Sequence, residues 1–165
     1  MKFPALKAYT QDQSKIFPCR EKEVESVLEI LQNNKLVTVT SKSGSGKTSL
    51  INAGVISRLK SGFPAQSGRE WAICVTRPGV SPLENLCNSL ANNGVLYIDN
   101  KAKSTDFEEY LEKLKDKKGQ GLVEIYNKSE IKSKKNLLIF IDQVEDLFSN
   151  RKFFDNEKSD DDDLL

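Results

Sequence analysis

The chain has 165 residues, 38% hydrophobic and 30% charged, which suits one soluble globular domain or part of a larger one. Twenty-five basic and 24 acidic residues leave a net charge of +1, so nothing in the balance calls for nucleic acid or an acidic membrane as partner. With no histidine and three scattered cysteines, a Cys/His zinc site and a Ser-His-Asp set are both excluded.

Met1 to Arg20 contains Pro4 and Pro18, shows weak periodicity and reads as an irregular arm. It has no continuous apolar core of the signal-peptide kind. From Glu21, Val24, Val27, Leu28 and Leu31 recur at helical steps, and Asn33-Asn34 ends the helix. Leu36 to Thr40 is short and β-branched and predicts a strand. After a glycine-bearing loop, Lys47 to Lys60 predicts a helix with Leu50, Ile51, Val55 and Leu59 on its apolar side, stopped by Ser61-Gly62.

Trp71 to Thr76 predicts a second, buried strand, and Arg77-Pro78-Gly79 a turn. Ser81-Pro82-Leu83-Glu84 is a capping-box start for a helix running to about Asn92. Thr105 to Lys118 predicts another helix, with Phe107, Tyr110, Leu111 and Leu114 on one side, and Leu122 to Asn127 a short one. The basic residues Lys128, Lys132, Lys134 and Lys135 have no interleaved aromatic platform and read as a solvated surface. Leu137 to Ile141 is an unbroken apolar strand, too short to span a bilayer, and predicts burial on both faces of a parallel sheet. The end of the chain carries Asp160 to Asp163 and reads as a solvated, disordered tail. The alternation of strands and helices makes the fold class α/β.

Ser41-Lys42-Ser43-Gly44-Ser45-Gly46-Lys47-Thr48 lies between a predicted strand and a predicted helix. A loop of small residues lets backbone N–H groups converge on a triphosphate, and the following helix adds its positive end. Ser43, Gly44, Ser45, Gly46, Lys47, Thr48 and Ser49 are therefore the candidate nucleotide-binding residues. Lys47 is placed to reach the β- and γ-phosphates, and Thr48 to offer a hydroxyl to Mg2+. Ser41 stands where the usual pattern has its first glycine, a departure that alters loop geometry or weakens affinity.

The second group is the apolar strand ending in Asp142, which suits the hydration shell of the same Mg2+. Glu145 and Asp146 follow. Glu145 is the candidate to orient or deprotonate a water, since Gln143 is not an effective base.

Several segments together resemble the STAND class of signal-transduction NTPases, and its novel STAND NTPase group in particular. They are Pro4-Ala5-Leu6, Phe17-Pro18-Cys19-Arg20-Glu21, Ser43 to Leu50, Arg77-Pro78-Gly79 and Asp142-Gln143-Val144-Glu145-Asp146-Leu147-Phe148. The resemblance reaches to about Ser149. It implies a P-loop NTPase three-layer sandwich with a parallel sheet, with Arg20 near the adenine or ribose end of the nucleotide. It also implies an additional strand, between the loop strand and the Asp142 strand, and further C-terminal subdomains. The polar residues after Asp142 do not supply these, so the expected sheet is incomplete.

The expected organisation is an arm over residues 1–20, a partial NTPase core over 21–149 and an acidic tail over 150–165. The expected function is an ATP-binding, nucleotide-dependent switch of the cytoplasm with slow or absent hydrolysis. The resemblance adds roles in signal transduction and bacterial defence, with sensor or effector domains of a larger protein, or a second copy, as partners. The alternative is a nucleotide-binding or interaction module without turnover, or a remnant of a larger STAND protein.

Overall fold

The structure is a computed structural model, and it describes residues 8–11, 20–63, 70–92, 95–96, 105–116 and 119–149. The predicted tail and most of the predicted arm lie outside them. The chain forms two compact units, Met1–Trp71 and Ala72–Leu165.

The first unit is built on two helical segments. Helix α1 spans Glu21–Asn33 and buries Val24 and Leu28, two of the four periodic positions. Its exposed face carries Glu21 and Glu23 in the first turn, where negative charge suits the helix dipole. Helix α2 is a continuous helical run in three parts: an α-helical turn at Lys47–Ser49, a π-helical stretch at Leu50–Ile56 and an α-helical end at Ser57–Lys60. The predicted helix is thus present, but its middle is wider than an α-helix. Leu50, Ile51, Ala53, Gly54, Val55 and Ile56 are all buried, so this stretch has almost no solvent face. The π segment packs on α1. Burying aliphatic side chains such as these contributes about 1.5–3 kcal/mol each.

Leu36 to Thr40 is not a strand in the structure. Val37 and Val39 are half-buried, while Leu36, at 83% exposed, lies in solvent. The residues keep the alternation of a strand, but among the described residues no neighbour supplies a ladder. Composition sets only a preference for extended backbone, and the ladder needs a partner.

The second unit is a mixed α/β body with a two-stranded parallel sheet. Strand β1 spans Glu70–Thr76, starting at the boundary between the units, and β2 spans Lys135–Ile141. Between them come α3 (Pro82–Asn92), α4 (Thr105–Asp116), α5 (Gly121–Lys128) and a 3-10 turn at Glu130–Ser133. After β2, α6 covers Asp146–Ser149. Ala72 and Cys74 of β1 pack with Cys87, Leu90, Tyr110 and Ile125 of the helices, and Leu137 and Ile139 of β2 join that core. The Tyr110 hydroxyl, inside it, donates to the Leu96 carbonyl at 3.3 Å.

Strand β2 does not show the burial expected on both faces. Its residues are half-buried along its length, and Ile141 is exposed. Leu137 and Ile139 pack against the core that the helices of this unit form.

Candidate functional site

The loop leading into α2 has the backbone that its glycines predict. Gly44 and Gly46 have φ of 76° and 83°, left-handed values that cost a residue with a Cβ about 1–2 kcal/mol. Gly46 is the residue immediately before α2. The first bond within the helix runs from the Leu50 N–H to the Gly46 carbonyl at 2.8 Å. The N–H groups of a helix's first turn point off its end, which is how such a loop presents donors to an anion.

Lys47 lies back along the loop. Its Nζ donates to the Ser41 carbonyl at 3.0 Å and to the Lys42 carbonyl at 3.3 Å. The ammonium is therefore held at the mouth of the loop by backbone dipoles, which a triphosphate would replace with full negative charges. The Ser49 side chain is buried, and its Oγ accepts from the Tyr9 N–H at 3.0 Å. Ser49 is thus a buried member of the candidate set, with its hydroxyl oxygen engaged by the chain before α1. Nearby, the Ser57 hydroxyl donates to the Gln11 carbonyl at 3.2 Å, and Lys60 Nζ to Gln11 Oε1 at 2.5 Å. Tyr9 and Gln11 thus fasten part of the expected arm to α2.

Arg20, the residue before α1, is turned onto the loop. Its Nη1 donates to the Ser45 carbonyl at 2.9 Å and its Nε to Glu23 Oε1 at 3.1 Å. The Glu23 carboxyl is held below its ordinary value, first by a backbone hydrogen bond and then by this guanidinium. Nothing in the local sequence signals the Arg20–Ser45 contact, because it joins residues far apart in the chain.

The second group lies at the carboxyl ends of β1 and β2. The Asp142 N–H donates to the Thr76 carbonyl at 2.9 Å, extending the pairing one step beyond the strands. Gln143 then takes φ 56°, the one positive φ outside glycine among the described residues. Strained backbone of this kind concentrates at functional sites. Thr76 Oγ1 and Gln143 Oε1 are both buried without a hydrogen-bond partner among the described residues. Unmet polar atoms are uncommon inside proteins, and the carboxyl ends of parallel strands are where open α/β sheets bind ligands. Glu145 is exposed, and Asp146 pairs with Arg77, Nε to Oδ2, at 2.9 Å.

The structure therefore brings Arg20, Ser43 to Ser49 and Lys47 together in the first unit, and Asp142 and Glu145 in the second. The model of the family Novel STAND NTPase 1 matches residues 3–162. The chain belongs to that family. No curated protein and no solved structure matches it. Membership makes this STAND chain a nucleotide-binding module in general terms. Among the described residues no helix is long and apolar enough to cross a membrane.

Proposed function

We propose that this STAND chain binds ATP at Ser43 to Ser49 and acts as a nucleotide-dependent signal-transduction switch on a P-loop NTPase sandwich. The observation that carries the reading is the left-handed pair Gly44 and Gly46 opening directly into the first turn of α2. In it, Lys47 leaves the Ser41 and Lys42 carbonyls and meets the β- and γ-phosphates. Backbone N–H groups of the loop and of the first helical turn hold the remaining phosphate oxygens. The proposed setting is cytoplasmic, in keeping with the free thiols of Cys74 and Cys87.

Thr48 and Asp142 are the proposed residues for Mg2+. Among the described residues no group of three or more His, Cys, Asp or Glu side chains converges. Magnesium in NTPase sites needs no such cage: one or two carboxylates or hydroxyls, water and the phosphates complete its octahedron. The hard oxygens of Thr48 and Asp142 fit that chemistry, and a magnesium ion held there would neutralise charge on the triphosphate. Glu145 is the proposed group that orients water for hydrolysis. Turnover is slow in this reading, and it is the hydrolysis that resets the switch.

Calorimetric titration of MgATP into the full chain and into Lys47→Ala tests the site. Loss of the charge-assisted phosphate contacts weakens binding by about 1.5–3 kcal/mol, a factor of roughly ten to a hundred or more. Equal affinity for both proteins would remove the loop from the site. A phosphate-release assay then separates the switch with slow turnover from a module that only binds.

A further inference from the structure

Two residues that the phosphate-loop pattern does not include converge on Ser45. From one side the Ser41 and Ser45 hydroxyls hydrogen-bond to each other. From the other, Arg20 Nη1 holds the Ser45 carbonyl at 2.9 Å, while Glu23 steadies the guanidinium through Nε. The same Nη1 lies 3.4 Å from where a Cβ on Gly46 would stand, so the guanidinium lies against two consecutive loop residues. Ser41 does not have a positive φ, so the chain leaves Thr40 without needing glycine there. A serine at this position costs no backbone strain and adds a hydroxyl that glycine lacks.

We infer that Arg20 and Ser41 are positioning residues of the phosphate loop: they grip Ser45 from two sides and set the loop's shape before the triphosphate arrives. The inference rests on the reading of Ser43 to Ser49 as the triphosphate site. A loose loop must be ordered when it binds, and every contact that orders it beforehand removes part of that cost. Ser41 thus supplies through its side chain a restraint specific to this chain. Arg20 acts through the loop backbone, which differs from direct contact with the base or ribose.

The test uses the full chain and the variants Ser41→Ala, Ser41→Thr and Arg20→Ala, with two probes, MgATP and magnesium tripolyphosphate, which has neither base nor sugar. Hydrogen exchange of the loop amides is read without any ligand. Ser41→Ala and Arg20→Ala speed exchange at the loop and weaken both probes by the same factor, about three- to tenfold for one lost hydrogen bond. Ser41→Thr keeps the hydroxyl and restores both readings. Ser45→Ala removes the partner instead, matches Ser41→Ala, and adds nothing when combined with it, because both delete one contact.

An Arg20→Ala loss seen with MgATP and not with tripolyphosphate would place Arg20 on the nucleoside and overturn its positioning role. Unchanged exchange in Ser41→Ala would overturn the role of Ser41. If the wild-type chain binds neither probe, the nucleotide reading falls, and the exchange measurement alone then decides whether the grip exists.

Discussion

Arg77 Nε donates to Asp146 Oδ2 at 2.9 Å, which ties the turn leaving β1 to the helix that follows β2. The two residues come from segments that look unrelated in sequence, the Arg-Pro-Gly turn and the acidic stretch after Asp142. The Arg77 side chain is 59% exposed, so the pair contributes under about 1 kcal/mol. Its consequence is for orientation. Asp146 is committed to Arg77 at the start of α6, while Glu145 stays exposed in the turn before it.

That difference separates the two acids experimentally. Glu145→Gln lowers phosphate release by about a hundredfold or more, the ordinary contribution of a general base. Asp146→Asn leaves release within about twofold and changes stability by under about 1 kcal/mol. Single-turnover phosphate release with the three proteins reads this directly. The reverse ranking would move the water-orienting role to Asp146.

The parts of this molecule that were legible in the sequence are the local ones. α1 was readable because Val24 and Leu28 fall on one helical stripe, and α2 because Leu50, Ile51, Val55 and Leu59 do. The turn before α2 was readable because the left-handed backbone at Gly44 and Gly46 depends on residue type within a few positions. Leu36 to Thr40 misled because a ladder depends on a neighbour that local composition does not report. The π-helical widening of α2 depends on packing around the whole stretch. The grip of Arg20 on Ser45 and the Arg77–Asp146 pair each join residues separated by long segments, and one sequence carries no sign of either.

Asp142 provides a test of the metal reading. Asp142→Asn keeps the backbone N–H that bonds the Thr76 carbonyl, so the end of the sheet is preserved. Nucleotide affinity in magnesium falls, while affinity in excess chelator stays near the wild-type value, because the carboxylate's proposed partner is the ion. Titrations with and without magnesium give the comparison. An equal loss under both conditions would make Asp142 a structural acid.

Cys74 and Cys87 are fully buried, and both thiols are pushed up to about 11 from an ordinary value of 9.0. Burial is the main cause, with Glu84 adding to it at Cys87. Unfolded thiols ionise at the ordinary value while the folded ones stay neutral. Their contribution to stability is therefore complete below pH 9.0 and is lost as pH rises through about 11. In a Cys19→Ser background, iodoacetamide labels neither thiol of the folded protein at pH 8 and both in urea. The pH slope of stability above 9 flattens when both are replaced by alanine. Rapid labelling of the folded protein would contradict the burial.

At Gly121, where α5 begins, the backbone lies close against α4. A Cβ on Gly121 would lie 2.1 Å from the Lys113 carbonyl oxygen, 2.6 Å from its carbon and 3.0 Å from the Leu114 nitrogen. All three are main-chain atoms inside a helix, so no side chain can swing aside to make room. Gly121→Ala therefore separates α5 from α4 and loosens the core that Tyr110 and Ile125 share. The expected loss is at the upper end of the usual overpacking range, about 3 kcal/mol. Gly119 is the control. It has φ 90° with nothing within 4 Å of its would-be Cβ, so Gly119→Ala bears backbone strain alone, about 1–2 kcal/mol. Urea melts of the two variants, compared through their midpoints at constant slope, give the ranking. Equal midpoints for Gly121→Ala and the wild type would mean that α5 does not sit this close to α4.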